Sequence, residues 1–371
     1  MTVRVGVNGY GTIGKRVADA VAKQPDLTLV GVAKTRPSFE ALQATTQRYP
    51  LYVSGQGKVA EFDAAKIPTA GDVRALIKAC DVIVDCTPEG VGASNAKLYQ
   101  EMGVRAIFQG GEKPAVAQVS FNALGNYAAA LGKQTVRIVS CNSTGLSRAA
   151  SVLQSHWGID EWTATIVRRA ADPSESGKGP INGILPTFQL PSHHGADVKT
   201  IFPELLIVTT AVVVPTTLMH VHVNRVRLHS PPEDLDSVVA AFRETRRIHL
   251  FARWEHVEGT PQVMEYAKDR GLGRADMMEN ALWEEGITIN GRDAFFFQAI
   301  HQESIVVPEN VDAIRAMFEL APDAERSMAI TDRALHLPEP VRGRERAPAP
   351  PAQRAGGTPA SVGARTATTA R

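Results

Sequence analysis

A parallel α/β domain followed by an α+β domain with a mixed or antiparallel sheet is the architecture that this sequence predicts. Three observations carry it. Up to about residue 140, short apolar strands alternate with amphipathic helices. A glycine-rich stretch, "VGVNGYGTIGKR", joins the first strand to the first helix. Beyond residue 140 long β-rich runs take over, with helical patterns between them. At 371 residues the chain exceeds what one ordinary core organises, so two domains are expected.

The elements follow in order. "VRVGV" (3–7) is a strand, "GKRVADAVAK" (14–23) has helical spacing and "LTLVGVA" (27–33) is a second strand. "VRALIKAC" (73–80) is a helix leading into the apolar strand "DVIVDCT" (81–87). "NAKLYQEM" (95–102) is a helix, and "RAIFQG" (105–110) and "VRIVSC" (136–141) are strands. Near-continuous apolar strands alternating with helices imply a parallel sheet covered on both faces. Then come "EWTATIVRRA" (161–170), the β-rich run 206–228 and "DAFFFQAIHQ" (293–302), with helices at about 233–246 and 260–270. This pattern predicts a mixed sheet with helices on one side. Residues 311–320 and 325–335 read as helices. From Pro338 the chain turns to Pro, Ala, Gly, Thr and Arg, so 338–371 is expected to be a disordered basic tail, with weak polyanion contact as its alternative use.

Composition narrows the function. The net charge of +1 suggests neither nucleic acid nor an acidic membrane as partner. Three cysteines cannot form a disulfide framework, which points to a reducing compartment. The N-terminus lacks a basic region followed by an apolar one, and the most apolar window (205–219) contains Pro215 and is too short to span a bilayer. The expectation is a cytoplasmic protein.

Gly9, Gly11 and Gly14 form G-x-G-x-x-G between a strand and a helix, the context of a Rossmann-type dinucleotide fold. Gly9 permits the tight turn, Gly11 admits a pyrophosphate and Gly14 lets helix and strand pack closely. The second strand ends in Lys34, Thr35 and Arg36, where an NAD site usually carries an acid. Two cations and a hydroxyl suit a 2′-phosphate, so NADP is favoured and NAD remains usable.

Cys80 and Cys86 flank an apolar strand and read as packing residues. Cys141 precedes "NSTGLSRAASVLQ", a helix start rich in caps, where the dipole should lower a thiol pKa and N–H groups could hold an oxyanion. A buried structural thiol is the other reading. Among ten histidines, His220 and His222 share one face of a strand, and His193 and His194 fall in a loop between Pro191 and Gly195. No spacing supports a metal site. Arg168 and Arg169 end a strand, as phosphate recognition or as an exposed charge pair.

Together these motifs resemble the archaeal-type phosphorylating glyceraldehyde-3-phosphate dehydrogenases. The resemblance runs from the first strand to about residue 337 and rests on "NGYGTIGKRVADA", "KTRPSFEA", "DCTPEG", "AIFQGGEK", "SCNSTGL", "RRAADP", "KGPINGILP", "LPSHHGADVKT", "VPTTLMH" and "HQESIVVPENVDAIRA". It implies that Cys141 is the nucleophile, with Ser140 and Asn142 at the substrate, and that His220 is the general base. It implies substrate contacts from His193 and His194. Cofactor contacts would come from Thr12, Ile13, Gly111, Arg169 and Gln302, with Lys34 at the 2′-phosphate. It further implies a homotetramer acting on glyceraldehyde 3-phosphate and inorganic phosphate. Residues 1–140 would form the dinucleotide-binding domain, completed by a C-terminal helical segment at about 303–337, and 141–302 the catalytic domain. Ser143 stands where the family more often has Thr, and the tail is no part of the family pattern. Aspartate-semialdehyde or related acyl-phosphate reduction, and a cofactor-binding regulator without turnover, are the competing readings.

Overall fold

The computed structural model describes residues 2–55, 58–109, 111–170, 179–180 and 182–341. The first part runs β1 (Val3–Asn8), α1 (Thr12–Ala22), β2 (Leu27–Lys34), α2 (Phe39–Thr46), β3 (Leu51–Val53), α3 (Val59–Ala64), β4 (Gly71–Asp72), α4 (Val73–Ala79), β5 (Val82–Asp85), α5 (Val91–Glu101), β6 (Arg105–Phe108), β7 (Val119–Phe121), α6 (Ala123–Asn126) and β8 (Thr135–Ile138). Its eight strands pair in parallel, in the order β4-β3-β2-β1-β5-β6-β8-β7. The chain lays β2, β3 and β4 to one side of β1, then returns to place β5 on the other. That reversal opens a crevice at the carboxyl ends of β1 and β5, where Asn8 pairs with Asp85.

α7 (Cys141–His156) leads into the second part: β9 (Ile159–Arg169), β10 (Leu185–Pro186), α8 (His193–Val198), β11 (Ile207–Val214), β12 (His220–Leu228), α9 (Leu235–Arg243), β13 (Ile248–Phe251), α10 (Thr260–Asp269), β14 (Asn280–Trp283), β15 (Thr288–Asn290) and β16 (Asp293–Ile300). The sheet is mixed, in the order β10-β11-β9-β12-β16-β14-β13, with β15 on β16. One face buries Trp162, Ala164, Ile166, Val226 and Phe296 against Leu146, Ala149 and Leu153 of α7 and Phe242 of α9. The other face is open and carries exposed Val208, Val223, Phe295 and Phe297.

α11 (Val307–Met317) and α12 (Ala324–Leu335) turn back to the first sheet, and Val307, Val311 and Ile314 enter one core with Val5, Val7, Val17 and Val82. The opposite face of that sheet packs Ile83 and Phe108 on Leu76, Ile77 and Tyr99. A buried charge network ties these helices to the second part. Arg148 Nη2 lies 2.7 Å from Glu309 Oε1, Arg247 Nε 2.9 Å from Asp332 Oδ1 and Arg247 Nη2 2.5 Å from Asp312 Oδ2.

One local expectation is corrected, that for His193 and His194, and two segments are resolved further. The run 206–228 is two strands, parted at Pro215–Met219, where Met219 takes φ +64°. His193 and His194 open a short helix instead of lying in a loop. The segment 39–64, unassigned from sequence, holds α2, β3 and α3. Of the anticipated tail only residues 338–341 are among those described.

Candidate active site

The crevice is shaped first by glycines. Gly9 turns at φ +100°, and a Cβ there would stand 2.7 Å from the Cys86 main chain. A Cβ on Gly14 would come within 1.9 Å of the Gly9 carbonyl oxygen, so helix and loop touch only because residue 14 is glycine. Around Gly11 a Cβ would meet nothing within 4 Å. That open space lies at the N-terminus of α1, which Gly11 caps without a side chain. The first N–H groups, those of Thr12 and Ile13, lack helical acceptors and face it with the positive end of the helix dipole. The cradle suits the pyrophosphate of NAD or NADP. Lys34, at the end of β2, bonds the Tyr10 carbonyl at 3.2 Å and pairs with Glu40 at 3.3 Å, which holds its ammonium beside the loop. Further along, Gly111 (φ +110°) lines a cleft of about 530 Å³ with Glu89, Gly90, Glu112 and Lys113. The floor is fastened by Asp85, which accepts from Tyr99 Oη at 2.6 Å and Asn95 Nδ2 at 2.8 Å.

Cys141 is the first residue of α7 and is half-buried. Ser140 caps the helix by accepting the Ser143 N–H, and Ser140's own N–H bonds Asp197 at 3.1 Å. The expected low thiol pKa is corrected: burial pushes Cys141 up to about 11, outweighing the Asn142 N–H and the charges of Arg168 and Arg169, which pull it down. Cys80 and Cys86 are pushed up as well, both by burial, Cys80 to about 12. They pack in the two cores of the first sheet, Cys80 in one and Cys86 against the other.

Arg168 and Arg169 act on Cys141 and His220 alike, which brings thiol and imidazole into one electrostatic environment. His220 is buried, and its Nδ1 accepts the Arg169 main-chain N–H at 3.0 Å. Burial holds its pKa well below the ordinary value, so the ring is neutral. A neutral ring whose Nδ1 accepts carries its proton on Nε2. In this tautomer the other ring nitrogen of His220 is the one left for a bound group. Arg169 is buried and pairs with Glu303 at 2.8 Å, and Gln302 lies against its guanidinium. Arg169 is thus no exposed charge.

Asn142 and His194 are also buried here. Asn142 Nδ2 bonds His194 Nε2 at 3.3 Å, while exposed His193 stacks on His194 with centroids 4.0 Å apart. Burial lowers His194 to about 2 and His222 to about 3, so both rings are neutral. Glu303 and His222 were missed as site residues. The shared strand face of His220 and His222 was the only sequence signal for the latter. Among the described residues no group of three His, Cys, Asp or Glu side chains could hold a metal, and no helix is long and apolar enough to cross a membrane.

Comparison with known proteins agrees with this geometry. Residues 140–282 match the family model "Glyceraldehyde 3-phosphate dehydrogenase, C-terminal domain", and residues 3–111 match "Dihydrodipicolinate reductase, N-terminus". Relatives named glyceraldehyde-3-phosphate dehydrogenase cover nearly the whole chain. The Haloarcula marismortui protein is 51% identical over 334 residues, 90% of this chain and 94% of its own. That of Thermococcus kodakarensis is 51% identical over 337 residues, 91% and 99%, and that of Methanothermus fervidus 47% over 334 residues, 90% and 98%. With a glycine cradle at the crevice and a cysteine at the head of α7, this chain belongs to the glyceraldehyde-3-phosphate dehydrogenase family.

Proposed function

We infer that the chain oxidises D-glyceraldehyde 3-phosphate to 1,3-bisphosphoglycerate, with inorganic phosphate as co-substrate and NAD or NADP as cofactor. The observation that carries it is a cysteine at a helix N-terminus sharing two arginines and a neutral, donor-oriented histidine, in a chain half-identical to named dehydrogenases. Cys141 first gives up its thiol proton to solvent, a loss that the Asn142 N–H and the charges of Arg168 and Arg169 favour, and the thiolate then adds to the aldehyde carbon, placing the charge on oxygen as a thiohemiacetal alkoxide. His220 Nε2–H donates to that alkoxide, and the α7 main-chain N–H groups add to the field. The bound nicotinamide supplies the hydride acceptor. Loss of hydride from carbon leaves a thioester on Cys141, and phosphate then attacks its carbonyl and expels the thiolate, which takes up the proton of the phosphate and returns to the thiol. No proton need pass to His220 in the oxidative step. Arg168 and Arg169 favour the two phosphate groups that must lie near the thiol, with His193, His194, Ser140 and Asn142 as substrate contacts. Gly9, Gly11, Thr12, Ile13, Gly14, Lys34, Gly111, Arg169 and Gln302 hold the cofactor, with Lys34 directed to a 2′-phosphate.

The residues divide at about 140/141, with the C-terminal helices completing the cofactor half. A homotetramer is supported by the open face of the second sheet, where Val223 registers with Phe297 and both are exposed. Ile184, Phe188 and Leu190 are further exposed apolar side chains. A cytoplasmic site agrees with three free thiols. The test is NADP⁺ reduction with glyceraldehyde 3-phosphate and phosphate. Wild type should turn over. His220→Gln, whose amide can donate but cannot take a proton, should retain more activity than His220→Ala. Equal loss in both would contradict the donor role, and an inactive wild type would overturn the function.

A further inference from the structure

We propose that His222 is a positioning residue for the catalytic turn: it locks the Asn142 carboxamide, next to Cys141, through a one-way hydrogen-bond relay anchored at both ends on main-chain carbonyls. The proposal rests on the functional reading above.

The direction is fixed from each end independently. At one end Asn280 Nδ2 donates to the Gly145 carbonyl at 2.8 Å and to Gln298 Oε1 at 2.9 Å. Gln298 therefore turns its Nε2 to His222 Nδ1, 3.0 Å away. Nδ1 accepts, so the proton of the neutral ring sits on Nε2 and is donated to Asn142 Oδ1 at 2.8 Å. At the other end Thr209 Oγ1 gives its one proton to the Ser192 carbonyl at 3.0 Å. Ser192 Oγ must then donate to Thr209 Oγ1 at 2.8 Å and accept from His194 Nδ1 at 3.1 Å. His194 Nε2 is left as acceptor for Asn142 Nδ2 at 3.3 Å. The two derivations meet at Asn142 and agree on which end is oxygen.

Every member is 3% exposed or less, and His222 is fully enclosed. His222 thus has no route to substrate and acts through Asn142. The relay joins β14, β16 and β12 of the sheet to the head of α7, then to α8 and β11. Its effect is to hold one amide orientation beside the nucleophile, where Asn142 is assigned to substrate. A reversed amide would set a donor against the His222 donor and leave a buried mismatch.

Two conservative variants separate positioning from mere packing. In His222→Gln the amide nitrogen falls near Nε2 and keeps the donor to Asn142. In His222→Asn the amide reaches only the Nδ1 position, so the contact with Gln298 survives and that with Asn142 is lost. We expect kcat/KM for glyceraldehyde 3-phosphate within about threefold of wild type for Gln and lower by about 10–100-fold for Asn, a loss typical of small misplacement. In an Asn142→Ala background His222→Asn should add nothing further. Equal losses in the two variants, or the full Asn loss persisting in Asn142→Ala, would overturn the proposal while leaving the activity in place. An inactive wild type would overturn the functional reading and this proposal with it. If His222→Asn fails to fold, Gln298→Met, which removes the donor fixing the His222 tautomer, carries the same cycle: a loss absent in Asn142→Ala supports the relay, and a loss unchanged there overturns it.

Discussion

Replacing Gly14 by alanine should damage both the fold and the cofactor site, whereas the same change at Gly11 should damage only the cofactor site. The methyl group at Gly14 would stand 1.9 Å from the Gly9 oxygen, where real contacts hardly fall below 3.0 Å. Helix α1 and the loop must part by more than 1 Å, and because both partners are main chain no side-chain rotation relieves it. Overpacking of this kind costs about 1–3 kcal/mol, offset by up to about 1 kcal/mol from the better helix propensity of alanine. A net loss of about 1–2 kcal/mol lowers Tm by roughly 1–3 °C in a chain of this size. Gly11 has φ −105° and ψ −152°, open to any residue, and no atom within 4 Å of the added methyl. Its Tm should stay or rise slightly through the less flexible unfolded chain. The methyl would nevertheless occupy the cradle and displace the pyrophosphate from its N–H donors, a loss of about 1.5–3 kcal/mol, or about 10–100-fold in Kd. The assay is thermal melting without cofactor alongside NADPH fluorescence titration. A Gly11→Ala protein that melts early yet binds NADPH normally would refute the reasoning.

Three further outcomes follow from the same geometry. Iodoacetamide should alkylate ligand-free Cys141 slowly at pH 7, at a rate rising with pH toward about 11, because burial keeps the thiol protonated. Peptide mass spectrometry checks this, and a rate already level above pH 7 would contradict it. Glu309→Gln should cost about 3–5 kcal/mol in urea melts, since Arg148 would lose its buried carboxylate partner while Arg247 keeps Asp312 and Asp332. Glu309 is held below its ordinary 4.5, so its contribution is complete above that pH and is lost as pH falls through the folded value. The variant should accordingly lose less stability than wild type between about pH 5 and 3. Lys34→Met should lower kcat/KM for NADP⁺ by about 10–100-fold and leave NAD⁺ within about threefold, as expected for one charged hydrogen bond to a 2′-phosphate. Equal losses with both cofactors would contradict the assignment.

What the sequence made legible is what depends on near neighbours. The strand–glycine–helix start needs only residues 3–22, and its alternation and glycine spacing are local. The head of α7 is legible for the same reason, through Ser140 and the small residues after Cys141. Burial at that position was not legible, because Cys141 packs on a core drawn from the first sheet and the C-terminal helices, far apart in sequence, and so the thiol shift had the opposite sign. The His222–Asn142 bond spans 80 residues, and Arg148–Glu309 spans 161. No periodicity encodes such pairings, nor the burial of Arg148, Arg247 and Arg315. The helix at His193 was hidden between Pro191 and Gly195, residues that usually mark a loop. The break before His220 needed Met219 at positive φ, a conformation that methionine does not advertise.

The most direct measurement omits phosphate. Mixed with NADP⁺ and glyceraldehyde 3-phosphate alone, the enzyme should release one equivalent of NADPH per active site in a single burst. Mass spectrometry should then find a 3-phosphoglyceryl thioester on the peptide holding Cys141, which added phosphate discharges. A burst of the same size from Cys141→Ser, or steady turnover without phosphate and without an acylated Cys141, would contradict a thioester at the head of α7.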